Sequence, residues 1–133
     1  MNDPAVRQCG PVEMRVPADP GLVSAVRLTA SGMAAAAKCT IAEIDDVKLA
    51  VSEVLLTLIE HGSGRTVSVS LELTDSTFNV CGATETQTFD RNHPDLALSQ
   101  TVLAEVCVDH SIDVSGAELR ITAEIHLTSN HDC

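Results

Sequence analysis

Apolar positions along this chain recur first with period two, then with the helical period, and then with period two again. VEMRV, Val12 to Val16, alternates apolar and polar residues and predicts a short strand. PADPG then turns the chain. Asp19 is placed to N-cap a helix whose first position is Pro20, where the missing N–H costs nothing. That helix is expected to run to about Cys39, with Leu22, Val26, Thr29 or Ala30, and Met33 at helical spacing. Its run Ala34 to Ala37 favours helix and close packing. Thr40 with Glu43 three residues on forms a capping box that opens a second helix. The buried stripe of this helix is expected to be Ile44, Val47, Val51, Val54, Leu55 and Leu58, with Asp46, Glu53, Thr57 and Glu60 on another side. GSGR, from Gly62, ends it.

TVSVSLEL places Val67, Val69, Leu71 and Leu73 on one face of a strand. Asp75 and Ser76 can turn a hairpin into TFNVC, with Phe78 and Val80 inward. The segment Ala83 to His93 fits neither period and reads as a loop. Pro94 to about Asp109 reads as a third helix with Leu98, Val102, Leu103 and Val106 as its apolar side. AELRITAEIHL alternates strictly, setting Ala117, Leu119, Ile121, Ala123, Ile125 and Leu127 against Glu118, Arg120, Thr122, Glu124 and His126. The order β-α-α-β-β-α-β-β, with hairpins, predicts an α/β (α+β) two-layer sandwich: a mostly antiparallel sheet with all helices on one face. Residues 1–10 and 130–133 read as tails around one domain, 11–129.

Composition narrows the chemistry. The 133 residues include two Phe and neither Tyr nor Trp, so the core must be aliphatic and stacking platforms for single-stranded nucleic acid are missing. Eight Lys and Arg against 19 Asp and Glu leave a formal charge of −11, which argues against any nucleic acid partner. The acidity fits a basic protein partner or, equally, plain solubility. No apolar run approaches the roughly 18 residues of a membrane span, and MNDPAVRQCG lacks a signal-like hydrophobic core, so a cytoplasmic location is expected. Cys9, Cys39, Cys81, Cys107 and Cys133 form no C-x-x-C and indicate neither a disulfide framework nor zinc. Cys39, Cys81 and Cys107 are expected to fill gaps in or near the core. No histidine among His93, His110, His126 and His131 shows metal spacing with a second ligand.

Two stretches carry a resemblance. RVPADPGLVSAVR and D..KLAVSEVLLTLIEHG resemble the bacterial anti-sigma-factor serine/threonine kinases of the RsbW and SpoIIAB type. These are members of the GHKL, or Bergerat-fold, ATPases, the superfamily of the histidine kinases, and the likeness covers nearly the whole chain. It implies the histidine-kinase-like ATPase fold. Glu53 matches the family glutamate that acts as general base or orients the attacking group. Thr57 stands where the family has the asparagine that holds Mg²⁺, while Glu60, His61 and Gly62 keep the closing pattern. In the second motif, Gly82 occupies the position of the adenine-accepting aspartate, with Thr84 and Thr86 at the glycines. In the third, Asp95 and Ala97 stand in a stretch that is glycine-rich in the family and holds phosphate at a helix N-terminus.

The resemblance with these departures implies an anti-sigma-factor-like regulator that works by protein binding. The partner would be a sigma factor or a STAS-domain anti-sigma-factor antagonist, with nucleotide binding weak or lost and no cofactor required. Arg27, on the first helix, is the candidate partner-binding residue, and a homodimer is in keeping with the family. The alternative is a working kinase that uses ATP and Mg²⁺, with Glu53 as base and Thr57 as metal ligand, acting on such an antagonist. A third reading, free of the resemblance, is an α/β interaction or structural domain unrelated to sigma control. Glu53 with Glu60 also fits a solvated helix face, and His61 fits a helix-end residue complementing the dipole.

Overall fold

The computed structural model describes residues 9–128, so the expected tails lie outside it except for Cys9 and Gly10, which open the first strand. The elements are β1 (Cys9–Pro17), a short 3-10 turn (Pro20–Leu22), α1 (Val23–Ala36), α2 (Ile41–His61), β2 (Thr66–Leu73), β3 (Thr77–Glu85), α3 (Pro94–Val106), β4 (Asp109–Ser115) and β5 (Glu118–His126). The strands form one sheet in the order β1-β2-β3-β5-β4, and every neighbouring pair is antiparallel. Alternation does what it predicts. Val67, Val69, Leu71 and Leu73, then Phe78 and Val80, then Leu119, Ile121, Ala123 and Ile125 are buried on the sheet face that the helices cover. Ser68, Ser70, Cys81, Ala83 and Arg120 point the other way, with Glu13 and Arg15, into an open groove of about 890 Å³.

Helix α2 is the centre of the molecule, in contact with α1, α3, β2, β3 and β5. Thr40 caps it as expected: the Glu43 N–H donates to Thr40 Oγ1 (3.1 Å), and the Thr40 N–H donates to Glu43 Oε1 (2.8 Å). Val47, Ala50, Val51, Val54, Leu55 and Leu58 are buried, whereas Ile44 is only half covered. Each such Val or Leu contributes about 1.5–3 kcal/mol when fully buried, and with few rings available these contacts carry the core. Ala30, Ala34 and Ala37 are buried too, their small side chains letting α1 lie close on α2. No helix among the described residues is long and apolar enough to cross a membrane.

Several boundaries differ from the sequence expectation. Helix α1 stops at Ala36, not Cys39, because Lys38 takes a left-handed backbone (φ 63°) that reverses the chain. Leu22 sits in the 3-10 turn, and Val23 takes its place in the buried row. β3 continues through Ala83 to Glu85, where a loop was expected. It is an interior strand paired on both sides, with Ala83 opposite Ser68 and Arg120. Its parity also turns Cys81 away from the core, where the Arg120 guanidinium donates to its Sγ (3.2 Å). Helix α3 ends at Val106 and buries Leu96 and Leu103, one face at i and i+7, leaving Leu98 66% exposed. Ala117 lies exposed in the β4–β5 turn.

Candidate functional site

The second half of α2, the end of β3 and the start of α3 gather most of the candidate residues. Glu53, Thr57 and His61 follow one another at four-residue steps and so project along one side of α2. Glu53 is half exposed. Thr57 is not on a wet stripe: it is 2% exposed, because α3 crosses it and its Oγ1 donates to Ser99 Oγ at 3.1 Å. Its hydroxyl is thus engaged in joining two helices.

Gly82 is buried on the helix-facing side of β3. A Cβ there would meet Leu58 Cδ1 at 2.5 Å and Val54 Cγ1 at 3.2 Å. The absence of a side chain lets α2 settle directly on the strand, and the space an aspartate would need is filled by aliphatic atoms. Farther along β3, Thr84 is buried with its Oγ1 donating to Thr66 O (2.9 Å), and Thr86 is buried with Oγ1 unpartnered. Gly62 and Gly64 pack against the Thr84 side chain, and the N–H groups of Ser63 and Gly64 donate to Glu85 O. The turn after α2 is therefore sealed onto the strand end.

The start of α3 follows from His93-Pro94-Asp95. Pro94 occupies the first turn without needing an N–H, and His93 Nδ1 accepts the Asp95 N–H at 3.1 Å as the N-cap. That N–H, which could otherwise face an anion, is committed within the chain. The Asp95 carboxylate stands 3.8 Å from the same Nδ1, and exposed Ala97 accepts a hydrogen bond from Thr101. The three positions that the resemblance assigns to adenine, metal and phosphate thus present packed aliphatics, a tied hydroxyl and a capped acidic turn.

His61 closes α2 with its side chain nine-tenths buried and Nε2 unpartnered. The His93 ring lies edge-on at 5.0 Å and Phe89 at 6.5 Å, with the Arg91 guanidinium 5.8 Å above Phe89. Sequence spacing had paired no histidine with a second ligand, yet the fold brings His93 and Asp95 against His61. His93 and Ser99 were missed as site residues. The one signal for His93 was its place before Pro-Asp, a helix-start pattern. Arg27 lies apart on α1, where its Nη1 donates to Ser52 Oγ of α2 at 3.3 Å.

Residues 16–123 match the family of the histidine kinase-like ATPase domain, and the chain belongs to that family. It is 34% identical over 87 residues to the serine-protein kinase RsbW of Halalkalibacterium halodurans, a match spanning 64% of this chain and 54% of that one. With the serine-protein kinase RsbW of Bacillus subtilis it shares 36% identity over 83 residues, 59% of this chain and 52% of the relative. The chain thus spans about half the length of these curated relatives. Its fold is similar to that in the crystal structure of the RsbU and RsbW domains of a Mycobacterium tuberculosis protein. The TM-score is 0.63 at 16% identity, over 91% of this chain and 34% of that one.

Proposed function

We propose that this member of the histidine kinase-like ATPase family is an anti-sigma-factor-like regulator that acts by binding protein, in the cytoplasm, with nucleotide binding weak or lost. Its partner is a sigma factor or a STAS-domain anti-sigma-factor antagonist. The observation that carries the reading is the contact of Leu58 and Val54 with Gly82, which fills the place of an adenine acceptor. The Thr57–Ser99 bond and the capped Asp95 N–H support it. The likeness to serine-protein kinases supplies the regulatory class. Phosphoryl transfer depends on metal placement and electrostatic positioning, so the same losses weigh more on catalysis than on binding. Recognition is assigned to the α1 side, where Arg27 stands beside Leu28, which is 71% exposed. The formal charge of −11 would speed encounter with a basic partner, an advantage that added salt removes.

Two measurements test this. A ligand at a hundredfold its dissociation constant adds about 2.7 kcal/mol of stability, so Mg²⁺-ATP at cellular concentration should leave the melting temperature unchanged. A saturable rise, lost in Glu53→Ala, would establish the kinase reading instead. Capture of purified sigma factor or STAS-domain protein should weaken in Arg27→Glu and survive Glu53→Ala. The reverse pattern would move recognition into the old nucleotide region and defeat the docking model.

A further inference from the structure

We propose that His61, His93 and Asp95 bind a divalent transition-metal ion of borderline softness, Zn²⁺ foremost, which clasps the start of α3 to the end of α2. One ring nitrogen from each histidine and one Asp95 carboxylate oxygen lie within 4.8 Å of one another. Two imidazoles and a carboxylate suit Zn²⁺, Co²⁺ or Ni²⁺ and not the all-oxygen shell that Mg²⁺ prefers. Three protein ligands with a fourth position left to water is an established zinc arrangement. The site shares no ligand with Thr57 and is independent of the regulatory reading above.

A second observation points to a ligand. The His61 side chain is 10% exposed, and its Nε2 is buried with no hydrogen-bond partner. A buried polar atom left in that state calls for a missing neighbour. The Glu60 carboxylate, 4.0 Å from Nε2, is too distant for a hydrogen bond but adds negative charge beside the cluster. Being near Nε2 itself, that carboxylate favours a cation at the ligating nitrogen.

The geometry needs only a small contraction. Tetrahedral bonds of about 2.0–2.1 Å set donor atoms roughly 3.4 Å apart. His93 Nδ1 and Asp95 Oδ2 already stand at 3.8 Å, and their side chains, 43% and 64% exposed, have room to turn toward the fixed His61. His93 Nδ1 now accepts the Asp95 N–H. Ligation through Nδ1 trades that cap for a metal bond, and ligation through Nε2 requires the ring to rotate. In either case the three ligands come from two helices joined by the long β2–β3 segment, so the ion adds a second tie between them beside the Thr57–Ser99 bond.

The test is a Co²⁺ titration of untagged, metal-stripped protein carrying Cys9→Ser and Cys133→Ser, read by visible absorption and followed by Zn²⁺ displacement. Expected is one equivalent of tetrahedral Co²⁺ without a sulfur charge-transfer band, displaced by Zn²⁺. Zn²⁺ should also raise the melting temperature. His93→Asn, which keeps an N-cap acceptor, and Asp95→Asn should each weaken binding at least about tenfold. Their metal-free melting temperatures should match the parent, showing that the fold is intact. No uptake at millimolar Co²⁺, a sulfur band, or affinity unchanged in both variants would overturn the proposal.

Discussion

At the first turn of α2, Glu43 is 7% exposed and its carboxylate receives the N–H groups of Thr40 (2.8 Å) and Thr128 (3.0 Å). One side chain there joins the helix start to the chain leaving β5. At the last turn of the same helix, the His61 side chain is nine-tenths buried, yet its Nε2 has no partner, with the Glu60 carboxylate 4.0 Å away. Burial is similar at the two ends, but satisfaction is not. A charge that serves only the fold is kept because its bonds offset its desolvation. A buried polar atom left short of its bonds calls for a partner from outside the chain, a water or an ion.

The comparison breaks most readily through Gly82→Asp. If the far end of α2 were still a nucleotide site, this change would restore an acceptor and Mg²⁺-ATP would stabilise the variant. The contacts with Leu58 and Val54 predict instead a loss of about 3 kcal/mol or more in urea unfolding, from overpacking plus an unpaired buried carboxylate, and no response to ATP. Second in size is Glu43→Ala. Leaving the Thr40 and Thr128 N–H groups without their acceptor should cost about 2–3 kcal/mol, measured the same way. A loss under about 1 kcal/mol would mean the satisfied end matters less than its geometry suggests.

The smallest effect concerns two thiols near the satisfied end. Burial first, and then the Glu43 charge, pushes Cys39 from 9.0 up to about 11, while burial and then Asp46 does the same for Cys107. The folded protein therefore holds these protons more tightly than the unfolded chain. Their stabilising contribution is whole below pH 9 and is lost as pH rises from 9 toward 11. Both are partly exposed, so the decline should be shallow. With the other three cysteines changed to serine, alkylation at pH 8 should run well below the rate of a free thiol, and Glu43→Ala should speed it at Cys39. Fast alkylation in the parent would contradict the burial.

The satisfied end was legible in the sequence and the other was not, for a physical reason. Thr40 and Glu43 act over three residues, so local spacing shows the capping box. The strands TVSVSLEL and AELRITAEIHL were equally plain, since one covered face imposes period two. By contrast, the burial of Thr57 depends on Ser99, and the meeting of His61 with His93 and Asp95 depends on how α3 crosses α2. Neither is a spacing. Helix α3 itself was misjudged at Leu98 because only Leu96 and Leu103 face inward, too few to fix a side by periodicity. The resemblance supplied Glu53, Thr57 and Gly82 as positions, but only packing showed what now fills them.

The pairing of β1 with β2 alone, Val16 opposite Val67, also bears on the order of assembly. The whole α1–α2 hairpin lies between these two strands, so their ladder closes a long loop, and that entropy is lost before any bond of the ladder forms. The helices and the β2–β3 hairpin need only near neighbours. In kinetic terms β1 should join last, after the folding transition state. Val16→Ala should then speed unfolding while leaving the refolding rate nearly unchanged, a φ-value near zero. During synthesis, a strand made before the rest of its sheet would be the last of the five to find its place.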